Sequence, residues 1–359
     1  MLIHSHVRDY EVILENNLDF FKDLVAIPNS YWVIDSNVYS LYSSVFANIP
    51  QDKLLVFNAI ENNKNLESAM NICESISQIK AKRNVTLISV GGGIVQDITG
   101  FVASILYRGI NWIFVPTTLL SACDSCIGSK TSLNYKSFKN LLGTFYPPKK
   151  LHICPLFFKT LTEKDYFSGL GEVVKFNIMT GPSGLKRIEE KFDSILQRDA
   201  LTVTEFVKSS LLYKKSFIEE DEFDKGERIK LNFAHTFGHA IEVLSEFVIP
   251  HGTAVAIGMV MANSISLKRG SLSEDIFNRS NNQLLKIIEI DINLINKTVD
   301  DYISIMRKDK KQIDDSLTAV LISKYDTQAI LSVVHDITRE EIDYAIKTFV
   351  GIYRNFYEN

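Results

Sequence analysis

Short apolar runs alternate with stretches of helical periodicity over residues 1–155, and this alternation restricts the chain more than any other feature. The candidate strands are Tyr10–Leu14, Tyr31–Ile34, Lys53–Phe57, Val85–Val90, Trp112–Val115 and Leu151–Ile153. Runs that are apolar at nearly every position suit strands buried on both faces, as in a parallel sheet. Helical patterns lie between them, such as Asn65–Lys80, where Leu66, Met70, Cys73 and Ile76 fall at helical spacing. The alternation predicts an α/β, Rossmann-like domain over residues 1–156. Pro147-Pro148 and the Leu151–Pro155 strand mark a handover, after which the pattern predicts a mostly α-helical C-terminal domain over 157–359.

Within the first domain, Val85–Val90 runs into Gly91-Gly-Gly93 and then into a helix carrying Asp97 and Gly100. A strand, a glycine turn and a helix N-terminus form an anion cradle, because backbone N–H groups point outward and absent side chains permit close approach. The spacing is not GxGxxG, so a plain tight turn remains an alternative. Farther on, Lys130 and Lys139 flank a Gly/Ser/Thr/Asn-rich stretch that reads as a loop, either a second anion site or simply solvated. The spacing of a Walker A loop is missing there.

In the second domain, three of the seven histidines, His235, His239 and His251, fall within 17 residues. On a helix, His235 and His239 leave the same face one turn apart. One ring can then bind a metal while the other acts as acid, base or phosphate donor, although such a pair can equally be solvated or core-lining. Glu172 and Lys175 share a helical face inside an apolar run, where a surface ion pair would be out of place. Cys123-Asp-Ser-Cys126 is formally a CxxC, but no second half-site completes a zinc site, so buried thiols beside Asp124 are expected. Thr338-Arg-Glu-Glu341 predicts a capping box for a last helix.

A net charge of −4 without a dense basic run argues against a nucleic-acid partner. No apolar run approaches the length of a membrane span, and Met1–His6 does not begin a signal peptide, so a cytoplasmic protein without a membrane partner is expected.

Taken in order, GGGxxxD at Gly91–Asp97, Tyr107-Arg-Gly109, Val115-Pro-Thr-Thr-Leu-Leu120 and Asp124–Thr131 form the first half of a longer set. Lys139-Asn140 to Pro148, Gly169–Lys175, Leu231–Glu242, His251–Met259 and Asp309-Lys310-Lys311 complete it. This set resembles the 3-dehydroquinate synthase group of sugar-phosphate cyclases over roughly residues 10–350. The resemblance implies a dehydroquinate synthase-like fold with the active site in the cleft between domains. It implies Glu172, His235 and His251 as ligands of zinc, with cobalt as the alternative ion. Gly92, Gly93, Asp97, Thr117 and Thr118 match residues that hold NAD, with Asp35, Asn37, Glu61, Lys64 and Lys139 around the rest of that cofactor. Asp124, Lys130, Asn140, Lys175, Lys214, Arg228, Asn232, His239 and Lys310 match the substrate shell. Within it, Lys130, Asn140, His239 and Lys310 resemble the phosphate-facing group, and Lys214, Arg228 and Asn232 the carboxylate clamp. Arg108 matches an arginine donated across a homodimer.

The activity implied is conversion of a small-molecule sugar phosphate, 3-deoxy-arabino-heptulosonate 7-phosphate, to 3-dehydroquinate and phosphate. It proceeds by transient oxidation, elimination, reduction, ring opening and aldol closure. A sister cyclase of the 2-deoxy-scyllo-inosose or 2-epi-5-epi-valiolone synthase type, and a metal-dependent polyol dehydrogenase, are the alternatives. Four places depart from the pattern: Ser129, Phe138 and Ala234 stand where glycines are usual, and Phe223-Asp224 replaces an Arg-Glu pair. A Cβ is costly wherever such a backbone needs positive φ.

Overall fold

The structure is a computed structural model that describes residues 1–79, 82–136, 138–307 and 317–357. It divides into two units, residues 1–161 with 218–223, and residues 162–217 with 224–359.

Unit 1 is built on a seven-stranded sheet. In chain order its strands are β1 (Leu2–Ile3), β2 (Tyr10–Leu14), β3 (Ser30–Asp35), β4 (Leu54–Phe57), β5 (Thr86–Gly91) and β6 (Asn111–Pro116). A separate hairpin follows, β7 (Lys130–Tyr135) and β8 (Phe138–Phe145), before β9 (Lys150–Ile153) completes the sheet. The order is β1-β2-β9-β6-β5-β3-β4, all parallel except the β1–β2 edge pair. The apolar runs are buried as their composition demands: Trp32, Val33 and Ile34 in β3 and Leu87, Ile88 and Val90 in β5 are essentially inaccessible. The chain winds outward from β3 to β4 and then, through β5 and β6, in the opposite direction. The reversal between β3 and β5 is the switch point at which open α/β sheets leave a crevice beyond their carboxyl ends.

Two sequence expectations are corrected in this unit. The helix expected at 65–80 spans Leu66–Ser77, but Ala69, Ile72 and Ile76 form its buried face, while Leu66 and Met70 are exposed. Small Ala69 is fully buried on that face, a signal that a search for large apolar residues misses. The polar stretch between Lys130 and Lys139 is not a loop but the β7–β8 hairpin, with Lys130 paired to Phe145 and Tyr135 to Phe138. The two lysines therefore lie at opposite ends of the hairpin.

Unit 2 is mostly helical, with an additional hairpin of β10 (Leu317–Tyr325) and β11 (Ala329–Ile337) that the sequence reading did not anticipate. Its central element is the His251–Lys268 helix, in which every residue from Gly252 to Ser266 is buried. Glycines let neighbouring segments approach it at backbone distance. A Cβ on Gly252 would lie 1.7 Å from the Ser168 carbonyl, and one on Gly258 would lie 2.4 Å from that of Ala234. Ser168 belongs to the Glu163–Thr180 helix and Ala234 caps the His235–Leu244 helix, so the three helices meet along one seam. The last helix, Arg339–Tyr357, starts at the anticipated capping box, with Thr338 N donating to Glu341 and Glu341 N to Thr338 Oγ1.

Candidate active site

The helix seam of unit 2 places Glu172, His235 and His251 side by side. Glu172 follows Gly171, whose own Cβ would meet the Gly252 carbonyl at 2.0 Å, and His251 precedes Gly252. The closest helix contact therefore adjoins two of the three candidate ligands. Glu172 Oε1 lies 3.5 Å from His235 Nε2 and 3.4 Å from His251 Nε2. Tetrahedral ligands each about 2.1 Å from one zinc ion stand about 3.4 Å apart, so the spacing suits a single ion. The Glu172 carboxylate is fully buried, and neither oxygen accepts a hydrogen bond of good geometry. An orphaned buried carboxylate is costly unless something positive binds it. Lys175 Nζ, 2.5 Å from Oε2, supplies one such charge. Burial pushes the Glu172 carboxyl up, but the Lys175 ammonium and the His251 ring outweigh it and hold the group ionised, as a ligand must be.

The remaining ring nitrogens explain the orientation of the histidines. His235 Nδ1 stands 3.1 Å from the Phe233 carbonyl and His251 Nδ1 is 3.1 Å from Glu242 Oε2. Both contacts fix the tautomer that leaves Nε2 for a cation. His239, Glu242 and His251 form a second cluster of metal-ligating type. His251 cannot serve both, because a neutral ring donating Nδ1–H to Glu242 has only Nε2 to offer. Glu242 is not among the expected site residues; its position three residues beyond His239 on one helix is the signal for it.

His239 lies one turn along, its ring centroid 5.5 Å from that of His235 and 6.0 Å from that of His251. Lys175 Nζ also donates to the Leu231 carbonyl at 3.2 Å, tying this helix to the Glu227–Asn232 turn. That turn carries Arg228, 4% exposed, and Asn232, whose side chain caps the Ile229 carbonyl. Lys214, 7% exposed, is a further buried cation of the unit. Lys310 lies outside the described residues.

Unit 1 places several of the other predicted residues at the sheet's switch point. β5 ends at Gly91, Gly92 caps the Gly93–Ile105 helix, and Asp35 caps the helix after β3 through the amides of Asn37 and Val38. A Cβ on Gly92 would meet Thr118 Cγ2 at 2.9 Å, and one on Gly91 would lie 3.3 Å from Asp35 Cβ. The bare glycine surface thus opens a cradle between the Thr117-Thr118 segment and a 13-residue helix N-terminus, a fit for a dinucleotide pyrophosphate. One turn into the helix, Asp97 meets buried Lys64 at 3.0 Å, and Lys64 Nζ also donates to Asn140 Oδ1 at 2.6 Å. Ser132 Oγ lies 3.0 Å from Asp97 Oδ2 and 2.9 Å from Asn140 Oδ1, while Glu61 Oε1 accepts from Asn134 at 2.8 Å. A cofactor-type residue and a substrate-type residue therefore share Lys64, a link that the sequence did not disclose. Lys139 is exposed beside Asn140, Lys130 is exposed at the start of β7, and half-buried Asp124 lies in the 121–125 turn between buried Cys123 and Cys126. Exposed Arg108 belongs to a turn of three successive positive-φ residues, Tyr107 (51°), Arg108 (64°) and Gly109 (116°).

The departures from the glycine pattern fall on strained backbone in two of three cases. Ser129 has φ 63° and Ala234 φ 69°, where a Cβ costs energy. Phe138 lies in β8 without a positive φ; Asn140, two residues on, has φ 52° instead.

Comparison with known proteins gives a consistent result. Residues 54–168 match the family model described as 3-dehydroquinate synthase N-terminal, and residues 169–312 match its C-terminal counterpart. The chain is 39% identical to the 3-dehydroquinate synthase of Clostridium tetani over 75% of each chain. It is 34% identical to that of Dictyoglomus thermophilum over 94% of each. Among solved structures it resembles 2-epi-5-epi-valiolone synthase from Streptomyces hygroscopicus, described with NAD+ and Zn2+ bound. That TM-score is 0.84 at 23% identity, covering 97% of this chain and 98% of the other, and it supports the shared fold. No helix among the described residues is long and apolar enough to cross a membrane.

Proposed function

Because the chain belongs to the 3-dehydroquinate synthase family, we propose that it converts 3-deoxy-arabino-heptulosonate 7-phosphate to 3-dehydroquinate and phosphate, as a zinc- and NAD-dependent carbon–oxygen lyase. The observation that carries this reading is the buried Glu172 carboxylate, whose Oε1 faces two histidine Nε2 atoms at 3.4 and 3.5 Å. When bound, zinc supplies a Lewis acid and NAD a hydride acceptor that is restored within each turnover.

The chain's own residues supply the rest. Glu172, His235 and His251 hold the metal. Gly92, Gly93, Asp97, Thr117 and Thr118 hold the dinucleotide, with Asp35, Asn37, Glu61, Lys64 and Lys139 around its remainder. Lys130, Asn140, His239 and Lys310 receive the phosphate, and cationic donors around it favour departure of a leaving group that gains charge. Lys214, Arg228 and Asn232 clamp the substrate carboxylate, and Asp124 and Lys175 orient its hydroxyls. Lys175 additionally keeps Glu172 ionised. A homodimer in which Arg108 reaches the neighbouring site completes the reading; a monomer by sedimentation under assay conditions would remove that part.

The choice of a carboxylate-bearing sugar over the substrates of sister cyclases rests on Arg228 and Lys214. Both side chains are buried, and both stand at the positions that match the family's carboxylate clamp. Replacing Arg228 by leucine is expected to lower kcat/KM for the heptulosonate phosphate by about 100-fold, the scale of one lost charge-assisted pair. Binding of a phosphate analogue lacking the carboxylate should change by less than about two-fold, well below the worth of one hydrogen bond. Equal losses on both would remove Arg228 from the clamp.

A further inference from the structure

Glu222 has no part in the chemistry above, yet it is among the most thoroughly used carboxylates in the chain. It is 3% exposed and belongs to the short segment 218–223 that clusters with unit 1. Oε1 accepts from Ser5 Oγ at 2.6 Å and from Ser129 Oγ at 2.7 Å; Oε2 accepts from His6 N at 2.7 Å. Ser129 immediately precedes Lys130 and has φ 63°, a conformation that a serine adopts only when its surroundings impose it. The neighbouring residue, Phe223, packs edge-on against Phe145 at 5.2 Å and near the His6 ring at 5.7 Å. Phe145 is the strand partner of Lys130. Glu222 and Phe223 therefore hold Lys130 from both sides, one through the preceding residue and the other through the residue across the hairpin.

We propose that Glu222 is a positioning residue, which fixes the Gly128-Ser129-Lys130 turn through the Ser129 hydroxyl and thereby sets Lys130 for the substrate phosphate. The last clause rests on the function proposed above. A glycine at 129 would adopt positive φ without help; the serine needs an acceptor, and the buried carboxylate provides one. The arrangement predicts a dependence between the two positions that simple structural importance would not produce.

The test uses full-length protein with zinc and NAD. Glu222→Gln is expected to raise KM for the sugar phosphate about ten-fold, the scale of one charge-assisted hydrogen bond. The KM for NAD should stay within about two-fold, and amide exchange at 128–131 should accelerate, because local opening becomes easier. Ser129→Ala, which removes only the hydroxyl, should reproduce the rise in KM, and adding Glu222→Gln to it should add little. In Ser129→Gly, adding Glu222→Gln should leave KM and exchange near those of Ser129→Gly alone. Unchanged exchange and KM in both Glu222→Gln and Ser129→Ala would overturn the proposal. So would a Glu222→Gln effect of the same size in the Ser129→Gly background. Exchange that responds while KM does not would support the latch and count against Lys130 at the phosphate.

Discussion

His235→Ala should yield a folded protein that no longer retains zinc and turns over at least about 10³-fold more slowly, the scale of several kcal/mol of lost Lewis-acid stabilisation. The reason is the small number of ligands. A carboxylate and one imidazole remain, and two ligands hold zinc far less firmly than three. His239→Ala is the control, since its ring neighbours His235 at 5.5 Å but forms no part of the Glu172 set. It should keep its metal while losing turnover. Elemental analysis of both variants after dialysis against a weak chelator measures this. Full zinc retention in His235→Ala would eliminate the ligand assignment, and retention there together with loss in His239→Ala would shift it to the second cluster.

Gly252→Ala should be the most disruptive single methyl group in unit 2. The added carbon would stand 1.7 Å from the Ser168 carbonyl, a backbone atom in the middle of a helix that cannot turn aside. The Glu163–Thr180 and His251–Lys268 helices must separate, which is expected to cost at least about 3 kcal/mol. Separation also moves His251 away from Glu172, so zinc affinity should fall together with stability. Thermal unfolding with and without added zinc would show this as a lowered midpoint and a smaller stabilisation by the ion. Gly270→Ala provides contrast: a Cβ there meets nothing within 4 Å, so the loss should come from its φ of 72° alone. A Gly252→Ala protein with unchanged midpoint and zinc affinity would refute the seam as the device that builds the metal centre.

Much of this architecture was legible from residue order. Continuous apolar runs marked the parallel strands because burial on both faces leaves no room for alternation. Gly91-Gly-Gly93 marked the cradle because only glycine lets Thr118 approach so closely. The histidine pair is legible as a pair, but the closeness of His235 to Glu172, 63 positions earlier in the chain, has no local signature. The β7–β8 hairpin was misread because Ser, Thr and Asn dominate it, and these residues favour turns as readily as strands. The helix face at Ala69, Ile72 and Ile76 was missed because packing selects for fit as well as for bulk. Contacts such as Gly171 with Gly252, Lys64 with Asn140, or Ser129 with Glu222 have no local signature, since each joins residues 76 to 93 positions apart.

The stoichiometry of one reaction distinguishes the cyclase from its alternatives most directly. Purified protein with zinc and NAD is mixed with 3-deoxy-arabino-heptulosonate 7-phosphate, and phosphate, 3-dehydroquinate and NADH absorbance are followed together. The expected result is one phosphate released per dehydroquinate formed, with no net NADH. Steady accumulation of NADH without phosphate release would contradict the cyclase assignment and identify a dehydrogenase on the same fold.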